Sequence, residues 1–240
     1  MLYADSARNR LIGIGIVSFT YLLFTLLDGS AKWLVGTMPV IMVVWLRFAI
    51  HALIGGALFF PLRGFALLRT KYWRWHILRA VMFIVMTAMN FWALQYLQLT
   101  VTSSIFFTVP ILIALISATF LGERLDAGRW IAIVAGFAGV LIILRPGSAS
   151  FHPAMLISLG NAILYTVFML MTRRLAAYDS PETIQYIPAI GATLLLAPFA
   201  LAAGEWPDTP VEWALSCLIG LLGGVGTTSS HSPTGTLRPR

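Results

Sequence analysis

Between Ala80 and Gly122 the chain carries no charged residue, a run of 43 positions. As one helix this run would be about 65 Å long, roughly twice the ~30 Å hydrocarbon core of a bilayer. It therefore reads as two membrane crossings joined by a turn. The only polar break available is Gln95 to Thr102, QYLQLTVT. Composition excludes a water-soluble alternative: 59% of residues are hydrophobic and 10% are charged, against roughly 45–50% and 25% in soluble domains. Nine acids and sixteen bases cannot coat a soluble body of 240 residues, whereas lipid-facing helices need no such coat.

With these two, the same criterion places spans near 11–33, 40–60, 77–96, 101–121, 129–145, 154–172 and 183–203, with a last one starting near 212. The expected fold class is all-α: a polytopic transmembrane helical bundle. Lys and Arg test this layout independently, because cytoplasmic loops carry an excess of both. With the N-terminus inside, thirteen bases fall on the inner side: Arg8, Arg10, Arg63, Arg69, Lys71, Arg74, Arg79, Arg124, Arg129, Arg173, Arg174, Arg238 and Arg240. Only Lys32 and Arg145 fall outside, Arg47 lies within the second span, and the outer 204–212 loop carries Glu205, Asp208 and Glu212. The expected location is the inner membrane, multi-pass, with a cytoplasmic N-terminus. No cleavable signal pattern precedes Asp28, so the first span reads as a retained anchor.

The net charge of +7 is spread over these short loops. Nucleic-acid recognition needs bases gathered on one exposed face, so the expected partners are the bilayer and a small molecule, with no nucleic acid. Cys217 is the only cysteine, which leaves no intramolecular disulfide and no CxxC metal or redox motif. HExxH, GxSxG and phosphate-loop motifs are missing as well. No catalytic residue, metal or cofactor is expected, and the chain does not read as an enzyme.

Lys32 stands seven residues before Pro39 and Arg174 seven before Pro181, each pair closing one helix and opening the next. Their placement on opposite faces is the condition for inverted-topology repeats. Three stretches then resemble the EamA type of the drug/metabolite transporter superfamily: VVWLRFAI, NFWALQYLQLTVTSSIFFTVPILIALISATFLGERL and RWIAIVAGFAGVLIILRPG. That resemblance implies ten helices in two inverted five-helix repeats. It assigns residues 1–147 to the first repeat and 148–226 to a partial second repeat of about two and a half helices. The apolar stretch from Trp213 stops at Gly226, and residues 227–240, TTSSHSPTGTLRPR, form a polar tail. The tail reads as a truncation or a shifted reading frame, leaving the second repeat incomplete and the last helix short.

In a membrane the informative residues are the polar ones that lipid rejects. Arg47 is a candidate contact for a substrate anion, or a paired or snorkelling residue. His51 follows four positions on, on the same face, as a hydrogen-bonded residue or a proton carrier. Ser18, Tyr21, Thr25 and Asp28 share one face of the first span. Thr87 and Asn90 do so in the third, and Ser158, Asn161 and Tyr165 in the sixth. These stripes suggest a shared cavity, or else interhelical hydrogen bonds worth about 0.6 kcal/mol each. The candidate cavity residues are Arg47, His51, Asn90, Trp92, Tyr21, Asp28, Asn161 and Tyr165. Trp45 and Trp92 lie deeper than Trp33, Trp73, Trp75, Trp206 and Trp213, which read as interfacial anchors. Small-residue pairs Ala132–Gly136, Ala135–Gly139 and Gly220–Gly224 mark close packing or a homodimer face. Glu123 and Arg124, with Arg129, suggest an ion network at the inner end of the fourth span.

The resulting expectation is a secondary transporter, importer or exporter, moving a small metabolite by alternating access. The competing readings are a nonfunctional truncated fragment and, from another class, a membrane enzyme or channel.

Overall fold

The computed structural model describes residues 7–121, 126–145 and 151–230. Among these, every regular element is helical: α1 (Ala7–Leu34), α2 (Val40–Arg63), a 3-10 turn (Gly64–Leu68), α3 (Trp73–Tyr96), α4 (Leu99–Phe106), α5 (Val109–Leu121), α6 (Ala127–Leu144), α7 (Ala154–Leu175), α8 (Pro181–Ala203) and α9 (Pro210–Ser230). The chain is a multi-pass bundle of membrane helices. Among the described residues, five stretches are long and apolar enough to cross by themselves: Val40–Leu68, Trp73–Tyr96, Leu99–Ile116, Ala154–Leu175 and Pro181–Ala203. The network expected around Glu123 and Arg124, and the tail from residue 231, lie outside the described residues.

The boundaries follow from local chemistry. Pro39 caps α2 and Pro181 opens α8, positions where the missing amide proton costs nothing. Ser180 adds a side-chain cap, accepting from the Thr183 amide at 3.3 Å. At the far end of α8, Gly204 takes φ 69°, the left-handed conformation suited to glycine at a helix C-terminus.

The fourth span departs from the single helix expected over 101–121. It is broken into α4 and α5 at Phe107–Thr108. Pro110 explains the break, since its ring clashes with the carbonyl four residues back and it has no amide to donate. The last helix also differs. Its helical backbone runs through Thr227 to Ser230, four residues beyond the apolar sequence.

The perimeter is as apolar as the core. Leu53, Phe65, Ile77, Ile142, Leu194 and Phe199 are exposed on the perimeter. The core is built from Leu27, Phe48, Phe83, Met86, Phe91, Phe168 and Ile219. Phe83 packs edge-on against Phe48 at 4.8 Å and tilted against Phe168 at 5.5 Å, which ties α2, α3 and α7 together.

The helices pair in an exchanged order. α1 packs chiefly on α9, α3 on α7, and α2 on α8, while α2 also meets α9 and α3 also meets α8. If α7, α8 and α9 are counted as counterparts of α1, α2 and α3, every one of these contacts has its mate. The α2–α8 crossing runs antiparallel. Trp45 donates its indole N–H to the Thr193 carbonyl at 3.1 Å, and His51, further along α2, meets Gln185, further back along α8.

The bundle has two chemically distinct ends. Arg63, Arg69, Lys71, Arg74, Arg173 and Arg174 lie at the basic end, and Glu205, Asp208 and Glu212 at the acidic end. There Glu212 accepts from the Asp208 and Thr209 amides at 2.8 and 3.0 Å, capping α9. A cavity of about 260 Å³ opens at the acidic end, lined by Thr37, Met38, Gly204, Glu205, Trp206, Asp208 and Glu212.

Candidate functional site

Four polar side chains from three helices meet inside the bundle. Asn90 on α3 donates to Asp28 Oδ1 on α1 at 2.9 Å. One turn earlier on α3, the Thr87 hydroxyl accepts from the Arg47 guanidinium of α2. Residues three apart on a helix share a face about 4.5 Å apart along the axis, so α3 acts as a rack holding an acid and a base side by side. Neither charge is in a salt bridge among the described residues, yet the two attract across the cluster.

Depth supports a common layer. Arg47 lies seven residues into α2, and Asp28 and Asn90 each lie six residues before the end of α1 and α3. At 1.5 Å per residue these positions sit roughly 9–11 Å below the acidic end. A lone charge at that depth is costly. Arg47 is compensated by Thr87, by Asp28 and by three aromatic faces: Phe48, Phe83 and Phe91 lie with ring centroids 5.3, 5.4 and 5.7 Å from the guanidinium carbon. Cation–π contacts of this kind contribute about 0.5–2 kcal/mol each.

His51 continues the polar stripe of α2 one turn deeper. Its Nε2 lies 3.3 Å from the Gln185 amide nitrogen, which also donates to the Gly224 carbonyl of α9. Three helices are thereby linked through one buried amide. α9 covers this stripe with glycines. A Cβ at Gly220 would lie 2.6 Å from Ile50, one at Gly223 would lie 3.3 Å from Arg47 Nε, and one at Gly224 would lie 3.3 Å from His51. The Gly220–Gly224 pair is thus a close-packing surface laid directly over Arg47, Ile50 and His51.

The remaining candidates separate into other places. Asn161 on α7 is buried and its Oδ1 has no hydrogen-bond partner, as is also true of Ser158 Oγ one turn before it. Tyr165 packs against Phe106 at 5.8 Å and Tyr21 against Phe107 at 6.4 Å, so both tyrosines gather at the α4–α5 break. Tyr21 is 54% exposed. Trp92 is not brought to the cluster: it is on the perimeter, packed on Tyr96 at 4.8 Å. Trp45 turns toward the acidic end, edge-on to Trp206. Of the α6 small-residue pairs, Gly136 packs closely on Ile111 while Gly139 has nothing within 4 Å. No group of three or more His, Cys, Asp or Glu able to hold a metal ion occurs among the described residues.

Gln185 was not singled out in the sequence, although an amide in an apolar helix is itself a signal. Phe48, Phe83 and Phe91 gave none, since an aromatic that faces a guanidinium reads like any other core aromatic.

Residues 11–145 match the family described as EamA-like transporter family. A riboflavin transporter of Vibrio cholerae is 32% identical over 159 residues, covering 62% of this chain and 50% of that protein. An S-adenosylmethionine uptake transporter of Rickettsia bellii is 26% identical over 224 residues, covering 93% of this chain and 75% of that protein. A solved crystal structure shares the fold with a TM-score of 0.62 at 23% identity, over 89% of this chain and 77% of that one. The chain spans about half the length of the curated riboflavin transporters it matches.

Proposed function

The chain belongs to the EamA-like transporter family, and from that premise we propose that it is a secondary transporter moving a small metabolite across the membrane by alternating access. The observation that carries this reading is the Asp28–Asn90 and Arg47–Thr87 pairing on one face of α3. A purely structural polar contact in a membrane needs only a donor and an acceptor. Here two opposite charges are kept apart at one depth, and the face of α9 laid over Arg47 is built of glycines and tied to α8 by the Gln185 bond to the Gly224 carbonyl. Such a layer can accept a polar solute when the helices move.

Residues 1–147 and 148–226 serve as the two repeats, and the exchanged pairing of α1 with α9 and α3 with α7 supports that division. The concentration of Arg and Lys at one end supports the inner membrane with that end and the N-terminus in the cytoplasm. Transport, with no covalent chemistry, is the activity. Names of relatives support a metabolite rather than an inorganic ion: a riboflavin transporter and an S-adenosylmethionine uptake transporter.

The test is uptake of riboflavin and of S-adenosylmethionine into liposomes holding the purified chain, with and without a pH gradient. Saturable accumulation of either solute is expected. It should be lost in Arg47→Ala and Asn90→Ala chains recovered at the parent's level. Unsaturable flux, or full activity in both variants, would overturn the proposal. Loss of the protein itself would assign the cluster to folding.

A further inference from the structure

The basic end is closed by a second polar cluster, centred where the start of α3 meets the α7–α8 connection and flanked by residues of α2, α7 and α8. His76 is fully buried, and its Nε2 lies 2.9 Å from Asp179 Oδ2. The Thr70 hydroxyl donates to the same oxygen at 2.8 Å while accepting from the Tyr72 amide. One turn along α3, the buried Arg79 donates to the Ile184 carbonyl of α8 at 2.8 Å and lies 4.7 Å from the Phe168 ring of α7. Tyr72 packs on Tyr178 at 4.8 Å, and Arg63 pairs with Glu182 at 3.0 Å on the outside of the cluster.

We propose that His76, Asp179 and Arg79 form a proton-operated latch that shuts the basic end and is released when His76 takes up a proton. The sign follows from the hydrogen-bond inventory. With His76 neutral, Nε2–H donates to Asp179 and Nδ1 is an acceptor, which tolerates its lack of a partner. A protonated ring has a second N–H at Nδ1, buried with nothing to receive it, and such a donor is costly. The facing charges point the same way. Asp179 faces His76 from the α7–α8 connection and Arg79 from its own helix, so the buried charges already cancel. From α8, Glu182 is engaged by Arg63 of α2, and Phe168 of α7 brings no charge. A proton on His76 adds an uncompensated positive charge to the closed state and none to a hydrated, open one. By linkage, acid favours the open end. The opposing effect is a stronger attraction to Asp179, and against it stands chiefly the burial of the ring, with repulsion from Arg79 adding to it.

The gate has meaning only within the transport reading, but its test is independent of transport. In a Cys217→Ser background, single cysteines are placed at Thr183, which is buried beside the latch, and at Ala177, which is exposed nearby. The purified chain is labelled with a charged thiol reagent, and the ratio of the two rates cancels the reagent's own pH dependence. Between about pH 8 and about pH 5.5, which brackets histidine titration, the Thr183→Cys to Ala177→Cys ratio should rise severalfold. His76→Gln keeps a donor toward Asp179 and cannot titrate, so its ratio should stay flat and low. A ratio in the His76 protein that is flat or falls with acid overturns the proposal, whatever the variant does. A rise that persists in His76→Gln assigns the opening to another group and overturns it too. Uptake failure with an intact acid-dependent ratio would count against transport and leave the latch standing.

Discussion

Substituting Gly220 by alanine probes the surface on which α9 meets α2. The new Cβ would lie 2.6 Å from both Cβ and Cγ2 of Ile50 and 3.3 Å from the Arg47 carbonyl, where ordinary contact begins at 3.4 Å. Two of these atoms are on or next to the α2 backbone, so no side-chain rotation relieves them and α9 must retreat by about 0.8 Å. That retreat stretches the Gln185 bond to Gly224 and lifts Gly223 from Arg47. Overpacking of this size costs about 1–3 kcal/mol, offset by roughly 1 kcal/mol from the better helix propensity of alanine. A net loss of up to about 2 kcal/mol corresponds to a midpoint lower by at most roughly 4–8 °C for a chain of this length. Gly29→Ala is the control: nothing lies within 4 Å of its Cβ, so propensity acts alone and the midpoint should hold or rise. Thermal unfolding of both variants in one detergent, followed by size-exclusion chromatography of the surviving fraction, measures the difference. A Gly220→Ala chain as stable as Gly29→Ala would refute the close α2–α9 packing.

Trp45→Phe removes the indole donor to the Thr193 carbonyl. It should lower stability by about 0.5–1 kcal/mol, read from the same thermal assay. Arg63→Ala breaks an ion pair whose arginine is 52% exposed, so the thermal midpoint should move by less than about 1 kcal/mol equivalent. Trp92→Ala should leave liposome uptake at the parent rate, because the indole lies on the perimeter against Tyr96. A large loss would put Trp92 in the solute path after all.

The helix inventory was legible because charge and apolar length are local properties. The break at Gln95–Thr102 separates α3 from α4, and Pro39 and Pro181 mark helix starts. The α4–α5 break was not anticipated, although Pro110 carried the information, because a proline within an apolar run also fits a kink or a first turn. For the site, spacing put Thr87 and Asn90 on one face of their span and Asp28 on the polar face of the first, and a charge within an apolar span drew attention to Arg47. Which stripes face one another is decided by helix rotation and pairing, which one sequence does not encode in any local pattern. Tyr21 and Tyr165 therefore went to the α4–α5 break and Trp92 to the perimeter. Arg79 counts in the sequence only as one of the inner-side bases and His76 is not singled out, since nothing in RWHILRA distinguishes a solvated base from one folded under the α7–α8 connection.

The pairing of α1 with α9 also sets an order of events at the ribosome. About 175 residues separate the end of α1 from the start of α9, so at ~5–20 residues per second α1 waits roughly 10–35 s for the helix it finally packs on. α3 is made far sooner, and Asn90 can engage Asp28 in the interval. The first helix is therefore held early by a hydrogen bond and only later by packing. A nascent chain arrested before α9 should accordingly keep α1 beside α3, while Asn90→Ala should release it for extraction or degradation before synthesis is complete.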